Sequence, residues 1–424
     1  MTSVSGERAP PSLADAPWLK QPETRAVLDA LTDGGFEARV VGGAVRNALM
    51  GTPVKDLDIA TTALPEDVIR LAEAAGLKAV PTGLDHGTVT VVAGRHPFEV
   101  TTLRRDIETF GRHARVTFTT DWAEDAARRD FTINALYCDA HGTVHDPLGG
   151  YPDLAARRVR FIGRAEDRIR EDYLRILRFF RFTAEYAAGA PDSAGLAASM
   201  TLADGLTQLS GERIRAELLR LLAAPHGAEI VRIMAEAGLV ARLIGDDGAW
   251  DVRLLVRLQE IEAALDRTAD PVLRLAALVA PVRGAARDTL ARRLRLSNAE
   301  AERLSRAALP DRAFLPDADE RMARAYLYRY GADAFRDGVL LAWAASDAAS
   351  DDAAWQTRFH LPERWPVPSL PVRGGDLVDK GLAEGPAIGR VVRAFEEWWI
   401  THDFPTDRLR LAKALSDLVK ANRN

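Results

Sequence analysis

Two aspartates at alternate positions, Asp56 and Asp58, flank and enter a short apolar run, LDIA (57–60), that reads as a strand. Side chains at i and i+2 of a strand share a face, so both carboxylates can converge on hard, oxygen-seeking Mg²⁺ ions. Two such ions roughly 4 Å apart would activate an attacking hydroxyl and neutralise a leaving pyrophosphate. Upstream, Gly42-Gly43 lets backbone N–H groups approach a triphosphate closely, and the short helix that follows directs its positive end and Arg46 at the same anion. No Walker-type lysine motif accompanies the glycines, which excludes a P-loop. Alone, Gly-Gly is a tight turn and Asp-x-Asp a solvated strand face. The ordered set describes a site.

Two further groups supply cations. Arg128-Arg129-Asp130-Phe131-Thr132-Ile133-Asn134-Ala135 is expected on a helix leading into a hairpin, YCDAHGTVHD. The charged triplet ahead of apolar residues sets guanidinium forks at the boundary of core and cleft, where they can grip a phosphate or a base. The stretch Glu171 to Phe182, EDYLRILRFFRF, is expected on a single helix, where Asp172, Arg175 and Arg178 form a slowly rotating polar stripe beside Leu174, Leu177 and Phe180. An acceptor next to a donor fork suits the Watson–Crick edge of cytosine or adenine, each of which offers an amino group and a ring-nitrogen acceptor; uracil and guanine reverse the pattern. An ordinary surface ion pair is the plainer reading of Asp172 and Arg175. Arg181 lies about half a turn round from Asp172 and faces elsewhere, toward phosphate or a neighbouring helix.

The elements that must position these residues change character along the chain. ARVV (38–41), LDIA, GTVTVVAG and FEVTTL read as strands, and PEDVIRLAEAAG (65–76) reads as a helix with proline first and glycine last, together a small α+β domain. Beyond DPLGGYPDL (146–154), Leu, Ala and Arg recur at helical spacing, with a capping box at Ser297 and Glu300. Residues 187–199, small and Pro/Gly-containing, read as a loop, and LPERWPVPSLPVRGG (361–375) as a break before a tail.

The bulk properties of the 424 residues narrow the partners. Lys and Arg number 56 against 61 Asp and Glu, a net charge of −5, so any RNA must be held by local arginines and shape instead of one broad basic surface. Cys138 is the sole cysteine, which rules out an intramolecular disulfide. The polar N-terminal residues and the absence of a ~20-residue apolar run predict a cytoplasmic protein with no membrane contact.

Together these motifs resemble the class II tRNA nucleotidyltransferases, the CCA-adding enzymes, which share a head with bacterial poly(A) polymerase. GGAVRNALMG followed by DLDIA resembles the metal motif, RRDFTINALY the ribose-discriminating motif and DPLGGYPDL the head-to-neck hinge. EDYLRILRFFRF resembles the protein template for base choice and SGERIRAEL (210–218) the neck motif. The resemblance implies a polymerase-β-like head with a small mixed sheet followed by all-α neck, body and tail. It implies that Gly42, Gly43 and Arg46 hold the triphosphate, that Asp56 and Asp58 bind Mg²⁺, and that Arg129 contacts the nucleotide. Asp172 and Arg175 would pair with the incoming base, supported by Arg178 and Arg181, and Glu99 on FEVTTL would be a third carboxylate near the metals.

Residues 104–125 resemble the family's flexible loop, which takes part in changing specificity from C to A; a plain surface loop is the alternative. The expected layout is a lead segment (1–28), head (29–160), neck (161–225), body (226–360) and a tRNA-binding tail (361–424). No HD phosphohydrolase domain is expected, because His402-Asp403 has no histidine cluster upstream. Gly385-Pro386 opens a helix whose N–H groups suit an RNA phosphate, whereas Trp398 and Trp399 read as core residues before base-stacking ones.

The implied reaction is addition of CCA to the tRNA 3′ end from CTP and ATP, with the acceptor stem and elbow as contacts and no obligate protein partner. A poly(A) polymerase or a partial CC- or A-adding enzyme shares the aspartate pair; the 104–125 segment and the Asp172/Arg175 pair favour full CCA addition. A non-catalytic RNA-binding protein would have eroded these motifs.

Overall fold

The computed structural model describes residues 9–110, 113–245, 250–282, 284–307, 311–378 and 385–421, with the side chains of 106–115 outside that description. The chain forms two compact units, Met1–Asp247 and Gly248–Asn424.

The first unit carries β1 (Ala38–Val41), β2 (Asp58–Thr61), β3 (Lys78–Gly83), β4 (Thr88–Ala93), β5 (His96–Thr102), β6 (Arg104–Phe110), β7 (His113–Phe118), β8 (Tyr137–Cys138) and β9 (Val144–His145). Seven strands form one sheet in the order β3-β4-β5-β2-β1-β8-β9. It is antiparallel except where β2 lies parallel to β5. The inward residues Val40, Ile59, Val89, Val91 and Val100 are fully buried. Helices α1 (Pro22–Asp33) and α3 (Pro65–Ala74) cover them. The expected start of α3 at Pro65 is present, and Gly76 beyond its end has a φ of 74°. Val27, Leu28 and Leu31 of α1 are sealed in the interface, each contributing about 1.5–3 kcal/mol by burial. Cys138 is buried on β8 opposite Val40 of β1.

Helix α2 (Gly43–Leu49) follows β1 through Gly42, whose φ of 71° and ψ of −118° favour glycine. Beyond the sheet come α4 (Trp122–Ala127), α5 (Tyr151–Ala155), α6 (Ala165–Glu171), α7 (Leu174–Tyr186), α8 (Ser193–Thr201), α9 (Gly211–Ala223), α10 (Gly227–Glu236) and α11 (Leu239–Ile244). Helix α7 packs along α9 and α10.

Four sequence expectations are corrected. Residues 104–118 are the two strands of a β-hairpin, with Arg104 opposite Phe118 and Arg105 opposite Thr117, and residues 122–127 continue as α4; residues 111–112 lie outside the described ones. Arg128 to Ala135 is no helix: α4 ends at Ala127, Phe131 is extended and pairs with Phe161, and only Thr132–Asn134 forms a 3₁₀ turn. The Asp130 side chain accepts the Phe131 N–H at 2.9 Å, a local bond that competes with helix continuation. Residues 193–199 belong to α8, because Asp192 caps Gly195 N–H and the small residues admit Phe179, whose ring atom Cζ lies 2.6 Å from where a Gly195 Cβ would sit. Asp172, fourth, is not on the helix of Arg175: the chain breaks between α6 and α7, with Asp172 extended at φ −155° and ψ 109°.

Among the described residues of the second unit, every regular element is a helix. The capping box is present: Ser297 N–H and hydroxyl donate to Glu300 at 2.8 Å, and Glu300 N–H returns to Ser297 Oγ at 3.3 Å. Trp399 is buried among Val391, Phe395 and Leu415, and Trp398 packs against the same cluster while stacking on His402 with ring centroids 4.6 Å apart. The helix opened by Gly385-Pro386 runs to Thr401, while residues 379–384 of the expected tail motif lie outside the described ones. Asp403 is engaged by Arg324 at 3.1 Å, which makes the His402-Asp403 pair structural. No helix among the described residues is long and apolar enough to cross a membrane.

Candidate active site

The cleft of the first unit opens where β1 ends and β2 begins, since Val41 and Asp58 are register partners. Parallel pairing of β2 and β5 sets Asp58 directly beside Glu99. The strand begins at Asp58, and Asp56 lies on the irregular segment before it, so the shared-face argument does not place Asp56. Burial pushes the Asp58 carboxyl above the usual carboxylate range, with the negative charge of Glu99 and then Asp56 adding to the rise and Arg129 opposing it. Three acidic groups therefore feel one another at the head of β2.

Among the described residues, no three His, Cys, Asp or Glu side chains close a metal cage. A site for a hard cation that keeps waters and takes its remaining oxygens from substrate phosphate needs only one or two carboxylates. Asp58 and Asp56 fit that chemistry.

A cavity of about 470 Å³ adjoins Asp58, lined by Gly42, Gly43, Arg46, Arg128, Arg129, Asp130, Asn134, Asp172, Arg175, Arg178, Arg181 and Phe182. Six arginines face three aspartates there, an excess of cations suited to a nucleoside triphosphate. Nine of the eleven residues singled out in the sequence line this one cavity, and only Asp56 and Glu99 stand outside its lining.

Each arginine is held by a defined partner. Arg46 is 6% exposed, donates to Asn134 Oδ1 and to the Tyr186 hydroxyl at 2.8 Å, and lies 4.0 Å from the Tyr186 ring centroid. Burial pulls its pKa down, the mark of a cation drawn out of water. Arg178 donates to Asp130 at 2.8 Å through Nε. Asp130 also accepts from Asn134 at 2.9 Å, and despite burial its carboxyl is held below the usual range, chiefly by Arg178. Arg181 lines the same cavity and pairs with Glu217 on the neighbouring α9 at 2.6 Å and with Glu185 at 2.9 Å.

Asp172 and Arg175 both reach the cavity, but each side chain is held by a different partner. Arg175 donates to Glu171 and to the Arg168 carbonyl, the latter at 2.9 Å. Asp172 Oδ2 accepts from Arg213 at 2.6 Å, and Oδ1 accepts the Leu174 N–H at 3.1 Å. The motif SGERIRAEL contains Arg213 and Glu217, two site residues that the sequence did not single out. Their i, i+4 spacing on one face of α9 was the available signal.

A second cavity, of about 250 Å³ in the other unit, has its cations already engaged: Arg303 by Asp337 and Asp270, and Arg306 by Glu302.

Comparison with known proteins agrees with this geometry. A family model described as "Poly A polymerase head domain" matches residues 38–160, and one described as "Probable RNA and SrmB- binding site of polymerase A" matches residues 193–244. The CCA tRNA nucleotidyltransferase 1, mitochondrial, of Danio rerio is 35% identical over 401 residues, covering 90% of this chain and 87% of that protein. The CCA-adding enzyme of Geobacillus stearothermophilus is 42% identical over 226 residues, covering 53% of this chain and 54% of its own. The crystal structure of the Bacillus stearothermophilus CCA-adding enzyme in complex with CTP superposes with a TM-score of 0.73 at 28% identity, covering 95% of this chain and 98% of that one.

Proposed function

The chain belongs to the CCA tRNA nucleotidyltransferases, and from that membership we propose how its residues add CCA to the 3′ end of tRNA from CTP and ATP. The observation that carries the reading is the single cavity gathering Asp58, the glycine turn, the arginines and Asp172.

In this reading Gly42 and Gly43 bring backbone to the triphosphate, and Arg46 and Arg129 offset its charge. Asp172 accepts the exocyclic amino group of cytosine or adenine while Arg175 donates to the ring nitrogen, so selection needs no nucleic-acid template. Arg175 must exchange its bond to Glu171 for one to the base. Arg178, fixed by Asp130, and Arg181, fixed by Glu217, keep the α7 wall cationic.

The family depends on a divalent cation, and we assign Mg²⁺ to Asp56 and Asp58, with Glu99 beside them. When bound there, the cation assists deprotonation of the 3′-hydroxyl and offsets charge on the departing pyrophosphate. The 3′-oxygen of the tRNA forms its bond to the α-phosphorus in line as the bond to pyrophosphate breaks.

The five-part layout drawn from the sequence and the tRNA-holding role of residues 361–424 belong to the same proposal. So does a cytoplasmic location, supported by one buried cysteine that needs no oxidising compartment; fractionation of cells tests it, since relatives include mitochondrial enzymes.

The test is extension of a tRNA lacking its last three nucleotides, with each of CTP, ATP, UTP and GTP and with Mg²⁺. Ordered addition of two C and one A is expected. Growth of poly(A) without C would instead identify a poly(A) polymerase, and arrest after CC or failure to add C a partial enzyme.

A further inference from the structure

Asp125, on α4 at the end of the 104–125 segment, has been given no role of its own so far, yet its side chain is 1% exposed beside the cleft. One carboxylate oxygen accepts from Arg128, at 2.9 Å from Nε and 2.7 Å from Nη2. The other accepts from Arg129 Nη2 at 3.0 Å and from the Tyr137 hydroxyl at 2.8 Å. Tyr137 in turn accepts from Arg129 Nε at 3.2 Å, closing a ring of three side chains. The backbone N–H of Arg104, first residue of the β6–β7 hairpin, points to the same carboxylate at 3.4 Å.

We propose that Asp125 is a positioning residue for nucleotide transfer: it aims the Arg129 and Arg128 forks into the cleft and ties them to the root of the hairpin.

Three observations carry this. A carboxylate buried to this degree is tolerated only when its lone pairs are filled, and here two guanidinium groups and a hydroxyl fill them. Although burial alone would raise it, the Asp125 carboxyl is held below the usual range, first by Arg129 and then by Arg128, so it stays ionised through the working pH range. The geometry also leaves Arg129 little freedom: Nε and Nη2 are taken, while Nη1 lies on the side of Gly42, 3.7 Å from where a Cβ would stand. A fork with two of its donors fixed presents the third in one direction. The hairpin root is closed on the same helix by Thr119, whose hydroxyl donates to Glu124 at 2.6 Å.

The inference rests on the role of Arg129 proposed above, and the experiment separates the two. Full-length wild type, Asp125→Asn, Tyr137→Phe and Arg129→Ala are compared for CTP and ATP affinity without tRNA, for KM and kcat with tRNA, and for thermal unfolding. For folded D125N, about a tenfold weaker affinity for both nucleotides and a matching rise in KM are expected, with kcat changed less, because Arg129 remains present but loosely aimed. Y137F, which keeps the ring and both charges, should give a smaller shift in the same direction and decides the matter if D125N does not fold. Wild-type affinity and KM in folded D125N, or in Y137F where D125N is unfolded, overturn the proposal. Wild-type affinity in R129A overturns the role of Arg129 itself, whatever Asp125 does.

Discussion

Arg213 donates through Nη2 to Asp172 Oδ2 at 2.6 Å, so the carboxylate expected to read the base is steadied from α9, across the bundle. Asp172 lies in a break between two helices, where its position depends on that ion pair and on its bond to the Leu174 N–H. Replacing Arg213 with Met keeps much of the apolar stem and removes the fork. The expected outcome is a several-fold rise in KM for CTP and ATP together with measurable incorporation of UTP or GTP. Primer extension with single nucleotides reads both, and unchanged fidelity would count against Asp172 as a base acceptor.

Arg175→Ala removes the donor half of the same recognition. Discrimination against UTP and GTP should fall by about tenfold to a hundredfold, the worth of one good bidentate or charge-assisted contact. A variant that loses rate without losing discrimination would reassign Arg175 to phosphate binding.

At the head of β2, Asp58→Asn or Asp56→Asn should depress turnover by about a thousandfold or more, on the scale of losing a principal electrostatic group. Binding of tRNA, measured by gel shift, should persist. Chelation of divalent ions should silence the wild-type enzyme in the same way.

The raised pKa of Asp58 has a definite sign in stability. A carboxyl that holds its proton more tightly when folded favours the folded state below the ordinary carboxylate range, and that contribution is lost as pH rises through the window up to the raised value. At pH 7 the metal-free protein therefore carries an ionised Asp58 that Arg129 offsets only in part. Asp58→Asn should raise the metal-free Tm at pH 7 and change it little at pH 3, while added Mg²⁺ should raise the wild-type Tm more than that of the variant. The Mg²⁺ concentration needed for half-maximal rate should climb as pH falls through the raised pKa.

Gly150 closes against backbone: a Cβ there would stand 2.2 Å from the Thr132 carbonyl oxygen. Its neighbour Asp153, buried, accepts from the Thr132 hydroxyl at 2.7 Å and from Arg160 Nε at 2.9 Å. Gly150→Ala should cost about 1–3 kcal/mol or more, as overpacking does, and lower Tm by several degrees.

Residues that act through the local chain were legible in the sequence. Gly42, Gly43, Arg46 and Asp58 follow from a strand, a turn and a second strand, and the structure brings them to one cavity. What escaped depends on contacts across the fold. Glu99 came from resemblance alone, since its place beside Asp58 needs the parallel pairing of β2 with β5, which no local pattern announces. The hairpin at 104–118 was hidden because polar Arg, Glu and Thr residues dilute the alternation expected of strands. The helix at 171–182 was overextended for a related reason: its periodicity continues through Asp172 and Tyr173, while Gly205 leaves room for the Tyr173 ring, a Cβ there standing 1.9 Å from Tyr173 Cδ1.

Cys138, opposite Val40 inside the sheet, has its thiol pushed up to about 12 by burial and the nearby Asp139. Almost no thiolate exists there at neutral pH, so maleimides and oxidants should pass it by. The chain is in effect already a cysteine-free background for labelling. A cysteine introduced on the outer side of the β6–β7 hairpin and another on α9 would carry a spin-label or dye pair with no competing thiol, and the distance between them could be followed as CTP gives way to ATP.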